Sequence, residues 1–268
     1  MLAVRRRWPS RTGRVVPNGT VRVASGQGCR QTPSSSPMAM PDLLSLPFFR
    51  PFTPQAVAPL SAQARWRSCE AGQTVIEAGD DAPDVYFVVQ GTLRVATRSI
   101  GGHEIILNEI GPGALFGEIA AIDGAKRSAG IVAVTKTQLC VIAAGPFLEF
   151  ALSTRDATLH LMKTLAALVR EKDKRIFELS VLATRPRLIA LLLRLARPRE
   201  DSGLIVSPPR PHHELAAMIG TRREVVTRTL AGLQRDGLLE PMRGGLLLPR
   251  PQALRAELDA AWANAPAR

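Results

Sequence analysis

A change in hydrophobic spacing near residue 154 constrains the fold of this chain more than any other feature. Between Thr154 and Ala183 there is no proline or glycine, and apolar residues recur at intervals of three and four. This spacing predicts one long amphipathic helix. Its apolar stripe contains Leu159, Met162, Ala166, Val169, Ile176 and Ala183, flanked by Leu161, Leu165, Leu168, Leu179 and Leu182. Such a stripe is typical of a coiled-coil seam between two copies of a chain, although a helix packed on its own β domain would also bury it.

Before this helix, from Arg65 to about Gly145, short apolar runs alternate with glycine turns. Regular short strands of this kind predict a sandwich or a barrel. By composition the strands are Thr74–Glu77, Val85–Val89, Thr92–Ala96, Glu104–Leu107 and Gly130–Val134, with turns at Gly79, Gly91, Gly101–Gly102 and Gly111–Gly113.

Charge is distributed unevenly along the chain. Residues 1–41 carry seven arginines and no acidic residue and are rich in Ser, Pro and Gly. They are a disordered extension, a targeting peptide, or sequence upstream of a natural start at Met38 or Met40. Residues 42–184 are nearly neutral, whereas residues 185–268 carry 14 basic and 8 acidic side chains. The basic end indicates that the C-terminal part meets a polyanion.

Cysteine usage indicates a reducing compartment, so we expect a cytoplasmic protein. The three cysteines, Cys29, Cys69 and Cys140, are scattered and contain no Cys-x-x-Cys spacing, which argues against a zinc or iron–sulfur site. The chain has no apolar run of about 18 residues, so we expect no membrane span.

The stretch Gly113–Ala129 contains groups suited to a ribose phosphate. We predict a short helix over Glu118–Asp123, whose N-terminal amides would attract an anion. Arg127, nine residues after Glu118, would add a forked cation suited to phosphate. Glu118 repels a phosphate, so it would pair with Arg127 or accept hydrogen bonds from sugar hydroxyls.

Phe116–Ala120 followed by Arg127–Ala129 resembles the phosphate-binding cassette of the cyclic-nucleotide-binding β-roll. The resemblance implies that the amide of Gly117, with Arg127 and Ser128, holds a cyclic phosphate. It also implies that Glu118 holds the ribose 2′-hydroxyl and that Ile119 belongs to the same binding site. The alternative is a β-roll that keeps the cassette only as a turn-forming scaffold.

Two short helices joined at a glycine predict a helix-turn-helix in the basic part of the chain. We expect the long helix to break at Arg185-Pro186, a further helix over Arg187–Ala196, and the first short helix over His212–Ile219. Gly220 ends this first helix, and Thr221 with Glu224 would form a capping box for the second. The expected core residues are Leu215, Ala216, Ile219, Leu230 and either Val225 or Val226.

The second short helix carries a basic cluster near its start, where a recognition helix contacts bases. The cluster contains Arg222, Arg223, Thr227 and Arg228. Arg223 and Arg228 are candidates for bidentate contacts to guanine. Glu224 either accepts a hydrogen bond from a cytosine amino group or serves only in the helix cap.

Gly220–Leu230 resembles the recognition segment of the cyclic-AMP receptor protein and fumarate–nitrate regulator (Crp/Fnr) family of bacterial transcription factors. Members with Arg-Glu-x-x-x-Arg in this helix bind palindromic TGTGA-type half-sites. Arg223, Glu224 and Arg228 match that triplet. Leu238–Leu248 would then be the wing, turning at Gly244-Gly245 with Arg243 placed at a phosphate.

These patterns and the resemblance, which covers roughly residues 60–250, predict an α+β chain. We expect an N-terminal extension, a cyclic-nucleotide-binding-like β-roll, a dimerisation helix, a winged helix-turn-helix and a tail, over 1–41, 42–153, 154–184, 185–255 and 256–268. The implied partners are double-stranded DNA, a second copy of the chain and RNA polymerase, with no membrane.

One part of the family pattern is missing. In the cyclic-AMP-responsive member, a Thr-Ser pair of the dimer helix contacts the adenine base, and Lys172 and Asp173 occupy those positions here. Asp173 or Glu171 would accept from a base amino group, whereas Lys172 would donate to guanine O6. Cyclic AMP, cyclic GMP, another effector or none therefore remain open.

The predicted function is a DNA-binding transcription regulator, not an enzyme, with a cyclic nucleotide as allosteric effector and no obligatory cofactor. An effector-binding module that acts on a protein partner is the alternative. An enzyme built on a cupin-like barrel would need a metal-binding set of histidines and carboxylates, and only His103 lies in the β region.

Overall fold

The computed structural model describes residues 42–98, 104–199 and 203–264. The N-terminal extension, the Gly101–Gly102 turn and His103 lie outside these residues. The lead-in contains a 3-10 helix, Leu43–Ser45, and helix α1, Pro54–Ser61. Helix α1 begins after Thr53, whose hydroxyl accepts from the amide of Ala56.

Two four-stranded antiparallel sheets form the β-roll. The strands are β1 (Arg65–Cys69), β2 (Thr74–Ile76), β3 (Val85–Gln90), β4 (Leu93–Arg98), β5 (Glu104–Ile110), β6 (Leu115–Phe116), β7 (Gly130–Ala133) and β8 (Thr137–Ile142), with helix α2 (Glu118–Asp123) between β6 and β7. The sheet orders are β1-β8-β3-β6 and β2-β7-β4-β5. All five predicted strands and the predicted helix are present, while β1, β6 and β8 were not predicted.

Two helices follow the β-roll: α3 (Ala144–Leu152) and the long α4 (Arg155–Val181). Thr154 caps α4 by accepting from the amide of Ala157. Leu161 of α4 is buried in the core cluster of the β-roll, whereas several other apolar side chains of the helix are exposed. The exposed members are Leu159, Met162, Val169, Ile176, Phe177 and Leu179.

The predicted break at Arg185-Pro186 is wrong in position. Helix α4 ends at Val181, and α5 (Thr184–Leu195) begins two residues before Pro186. Leu182 and Ala183 between the helices are extended. Proline is tolerated in a first helical turn because its missing N–H would have no partner there.

The C-terminal unit is a winged helix. Its elements are β9 (Arg197–Pro198), β10 (Leu204–Val206), α6 (His212–Ile219), α7 (Arg223–Arg235), β11 (Glu240–Met242), β12 (Gly245–Leu248) and α8 (Pro251–Ala263). The predicted core residues are buried, with Val226 rather than Val225 facing inward. The order of the elements and the winged helix-turn-helix confirm the predicted fold class.

The C-terminal end differs from the predicted tail over 256–268. Helix α8 begins with Pro251 in its first turn and continues to Ala263 without a further proline or a glycine. Buried Leu254 attaches it to the winged helix, and the Trp262 ring stacks on Phe177 of α4 with 5.4 Å between centroids. Among the residues described, no helix is long and apolar enough to cross a bilayer.

Candidate functional site

The turn before α2 brings Gly117 and Arg127 together. Arg127 is buried and donates from Nη1 to the carbonyl of Gly117 at 2.7 Å and from Nη2 to the carbonyl of Asp84 at 2.6 Å. Its guanidinium carbon also lies 5.7 Å from the centre of the Tyr86 ring. Two carbonyls and an aromatic face therefore fix the cation beside the N-terminus of α2.

Gly117 has no replacement that fits without strain. Its φ is +81°, and a Cβ at this position would lie 2.7 Å from Nη1 of Arg127 and 2.8 Å from the Asp84 carbonyl oxygen. Glycine allows the left-handed turn and leaves room for the arginine.

Glu118, the first residue of α2, has a buried side chain with only 6% of the residue exposed. Burial raises the pKa of its carboxyl group, and the Glu118 amide, Lys172 and Arg127 partly oppose this rise. Arg127 donates to backbone carbonyls rather than to Glu118, so of the two predicted roles the hydroxyl-accepting one remains available.

The other predicted effector-binding residues lie around this pair. Ile119 is on the exposed face of α2, and Ser128 is exposed directly after Arg127. Lys172 of α4 is exposed, and its charge acts on the Glu118 carboxyl group and lowers its pKa. Asp173 is exposed and is not among the charges that act on Glu118.

We define the effector cradle as Gly117, Glu118, Arg127 and Ser128, with Lys172 at its α4 side. Nε of Arg127 is buried without a hydrogen-bond partner, and Glu118 is a buried carboxyl group. Buried polar groups of this kind need partners. An anion would supply the partner that Arg127 Nε lacks, and hydroxyls would add to the amide that already bonds the Glu118 carboxyl group, so the cradle fits a ribose phosphate.

Sequence reasoning missed Asp84 and Tyr86 as parts of this site. Tyr86 stacks on Phe116 with 4.9 Å between ring centres, because β3 and β6 pair at these two residues. The contribution of Asp84 is a backbone carbonyl, for which side-chain chemistry gives no signal. Within the described ranges, no group of three or more His, Cys, Asp or Glu side chains is arranged to bind a metal.

The predicted capping box is wrong. Gly220, with φ +64°, ends α6, and the amide of Thr221 bonds back to the carbonyl of Ala216 at 3.0 Å. This bond makes Thr221 part of the C-terminal cap of α6. Arg222 is instead the N-cap of α7, without a side-chain capping bond. Glu224 lies in the first turn, where a negative charge suits the helix dipole.

The start of α7 presents the predicted DNA-binding side chains to solvent. Arg222, Arg223, Glu224, Thr227 and Arg228 are exposed, and Thr221 is half-buried. The Thr227 hydroxyl donates to the carbonyl of Arg223 at 3.1 Å and lies 2.8 Å from Nδ1 of His212. His212 begins α6, so this contact ties the two helices together at their shared outer surface.

Arg243 is exposed at the tip of the wing. Met242 pairs with Gly245, so the turn consists of Arg243 and Gly244 rather than the predicted Gly244-Gly245. Gly244 has a positive φ of 85°, and its carbonyl accepts from the Ser207 hydroxyl at 2.9 Å. The tip of the wing thus presents a cation to solvent.

Comparisons with known proteins agree with both halves of this structure. Residues 66–154 match the cyclic nucleotide-binding domain, and residues 186–257 match the Crp-like helix-turn-helix domain. The chain is 32% identical over 212 residues to the cyclic AMP receptor protein of Thermus thermophilus, covering 79% of this chain and 96% of that protein.

A further relative and a solved structure are also transcription regulators. The cAMP-activated global transcriptional regulator CRP of Haemophilus influenzae is 28% identical over 174 residues, which cover 63% of this chain and 77% of the relative. A solved transcriptional regulator of the CRP/FNR family from Thermus thermophilus is 26% identical, with a TM-score of 0.62 and coverage of 73% of this chain and 98% of that chain.

Proposed function

Because the chain belongs to the Crp/Fnr family of transcription regulators, we propose that it is a homodimeric DNA-binding regulator controlled by a cyclic nucleotide. Cyclic AMP is the first candidate effector, and palindromic TGTGA-like sequences are the proposed DNA sites. The protein would act in the cytoplasm with RNA polymerase as a partner.

The observation that carries the proposal is the state of Arg127. Two backbone carbonyls hold its guanidinium at the start of α2 while its Nε stays buried without a partner. A cyclic phosphate would bind Arg127, the Gly117 amide and Ser128. The ribose 2′-hydroxyl would donate to Glu118 and stabilise its charged form.

The base would meet α4. Lys172 is a hydrogen-bond donor whose charge acts on Glu118, so it favours a base with an acceptor, such as guanine with its O6, over adenine with its amino group. The two relatives described above, a cyclic AMP receptor protein and a cAMP-activated regulator, favour cyclic AMP as the effector. Asp173 or Glu171 of either copy would then have to accept a hydrogen bond from the adenine amino group. Base selectivity is therefore where this chain departs from its relatives.

Dimerisation would use the apolar side of α4. Met162, Val169 and Ile176 are exposed at intervals of seven residues, the spacing of a coiled-coil seam. An effector between the cradle and α4 would favour one arrangement of this seam. That arrangement would separate the two α7 helices by about one DNA turn, ~34 Å.

Calorimetry on the full chain with cyclic AMP, cyclic GMP and 5′-AMP tests the effector. We expect one cyclic nucleotide to bind much more tightly than 5′-AMP, which lacks the cyclic phosphate. Arg127→Leu should abolish binding of both cyclic nucleotides, whereas Lys172→Thr should change their affinity ratio in favour of cyclic AMP. If neither cyclic AMP nor cyclic GMP binds, cyclic-nucleotide control is overturned.

A further inference from the structure

The β4–β5 hairpin of the β-roll packs against α6 of the winged helix. Ile106 of β5 is only 4% exposed and belongs to the same hydrophobic cluster as Leu215 and Ile219 of α6. Its neighbours Ile105 and Leu107 are 42% and 45% exposed. One side chain of the sensor is therefore part of the core of the DNA-binding unit.

A cluster of four charged side chains also joins the hairpin to the α6 region. We define the ion cluster as Arg94 of β4, Glu109 of β5, Arg210 and Glu214. Arg210 donates to Glu109 from both terminal guanidinium nitrogens, at 2.9 and 2.7 Å. Arg94 binds Glu214 at 2.6 Å and Glu109 at 3.3 Å. The four side chains are only 11–18% exposed, so salt screens these pairs less than surface pairs.

A β-bulge places the apolar contact of Ile106 and the ionic contact of Glu109 on one face of the hairpin. Arg94 pairs with Glu109, and Ala96 pairs with Ile106. Arg94 and Ala96 are two residues apart on β4, whereas their partners are three apart on β5. The extra residue turns Ile106 and Glu109 to the same side, toward α6, which a regular strand would not do.

The opposite end of α6 is held by the helices that follow the β-roll. Arg175 of α4 donates to the carbonyl of Met218, and Arg187 of α5 donates to the carbonyl of Ile219 at 2.9 Å. These cations also suit the C-terminal end of the helix dipole. Helix α6 is thus anchored at its start to the sensor hairpin and at its end to α4 and α5.

We propose that Arg94 and Glu109 are positioning residues for DNA recognition, holding α6 and thereby α7 in a fixed orientation on the sensor of the same chain. Helix α7 follows α6 through the His212–Thr227 contact, and its DNA-binding side chains stay exposed while the hairpin is docked. Docking therefore fixes the orientation of α7 before DNA arrives. The DNA part of this inference rests on the proposed function.

Exchanging charges within each side tests the ion cluster without changing the net charge of the chain. The sensor-side variant is Arg94→Glu with Glu109→Arg, which places like charges opposite Glu214 and Arg210. The helix-side variant is Arg210→Glu with Glu214→Arg. The fourfold variant combines both and restores opposite charges at the two contacts between the hairpin and the α6 side, which join positions 94 with 214 and 109 with 210. The matched control exchanges the exposed pair Glu70 and Lys136 of the β-roll.

Hydrogen exchange of the full-length variants, without DNA or effector, measures docking directly. We expect the sensor-side variant to accelerate exchange in β5 and the start of α6, with recovery in the fourfold variant and no change in the control. Unchanged exchange in the sensor-side variant would overturn the docking. The circular dichroism spectrum checks folding, and Glu109→Gln provides a milder variant that should show a smaller acceleration.

DNA affinity then tests the positioning. The sensor-side variant should bind the specific duplex about tenfold or more weakly than wild type, and the fourfold variant should recover most of the loss. Unchanged affinity of the sensor-side variant would overturn the positioning role. A loss in the helix-side variant that the fourfold variant does not rescue would also overturn it, because Arg210 or Glu214 would then act on DNA directly. Failure of the wild type to bind any duplex would contradict the proposed function instead, and hydrogen exchange alone would then decide the docking.

Discussion

Two alanine variants, one at each glycine that flanks α2, distinguish the cost of backbone strain from the cost of collision with Arg127. Gly117 and Gly124 precede and follow α2, with φ of +81° and +68°. Alanine at either position adopts a left-handed conformation, at a cost of about 1–2 kcal/mol. Only at Gly117 does the new Cβ meet other atoms closer than 3.0 Å, since nothing lies within 4 Å at Gly124.

The collision adds to the cost of Gly117→Ala. Overpacking of this kind costs about 1–3 kcal/mol, so the variant should lose ~2–5 kcal/mol of stability against ~1–2 kcal/mol for Gly124→Ala. Because one of the two colliding atoms is Nη1 of Arg127, we also expect loss of a charge-assisted phosphate contact. A loss of ~1.5–3 kcal/mol weakens effector binding about tenfold to hundredfold.

Urea unfolding followed by circular dichroism gives the stabilities, and calorimetry gives the effector affinities. Gly124→Ala is the matched control and should bind effector nearly as the wild type does. Equal stabilities for the two variants, together with undiminished binding by Gly117→Ala, would refute the argument that Gly117 makes room for a phosphate-binding arginine.

Three further predictions concern other parts of the chain. Burial raises the pKa of Glu118 above 4.5, so its contribution to stability is complete below that pH and is lost as pH rises through the folded-state pKa. Glu118→Gln should therefore raise the free energy of unfolding at neutral pH, by a margin in urea unfolding that shrinks toward pH 4. The same variant should weaken effector binding. A wild-type stability profile parallel to that of the variant would contradict the raised pKa. Met162→Glu should yield monomers in analytical ultracentrifugation, whereas Lys163→Glu, next to the seam, should remain dimeric; two dimers would place the interface elsewhere. Arg223→Ala should cost about 1–3 kcal/mol in DNA binding and relax one base position in titrations with single-substitution duplexes, whereas an equal loss on every duplex would make Arg223 a phosphate contact.

Local patterns predicted the parts of the structure that depend on neighbouring residues. The cassette could be predicted because a glycine turn, a helix start and an arginine all fall within Gly113–Ala129. Strands β3 and β7 have uninterrupted apolar runs and were found. Strand β1, Arg65–Cys69, contains two arginines and a serine, so its composition gave little indication of a strand. Its partner is β8, which lies about seventy residues later in the chain.

Competition between adjacent helix ends explains the failed capping box. Thr221 has the right chemistry for an N-cap, but its amide completes the cap of α6, and α7 begins one residue later. Similarly, Pro186 is a helix breaker in a helix interior and a favourable residue in a first turn, so sequence alone misplaced the end of α4.

Contacts between distant parts of the chain could not be predicted. Glu109 and Arg210 are 101 residues apart, and a bulge in β5 decides that Glu109 faces α6. No periodic pattern in either segment signals that pair. The role of Asp84 depends on a backbone carbonyl, which any residue would provide.

The most direct test of the central claim is fluorescence anisotropy of the full-length chain on a TGTGA-N6-TCACA duplex at fixed salt, with and without cyclic AMP or cyclic GMP. The account predicts that one of the two nucleotides tightens binding to this duplex by about tenfold or more, with little effect on a scrambled duplex, and that Arg127→Leu removes the response. Equal affinity for both duplexes, unchanged by either nucleotide, would contradict it.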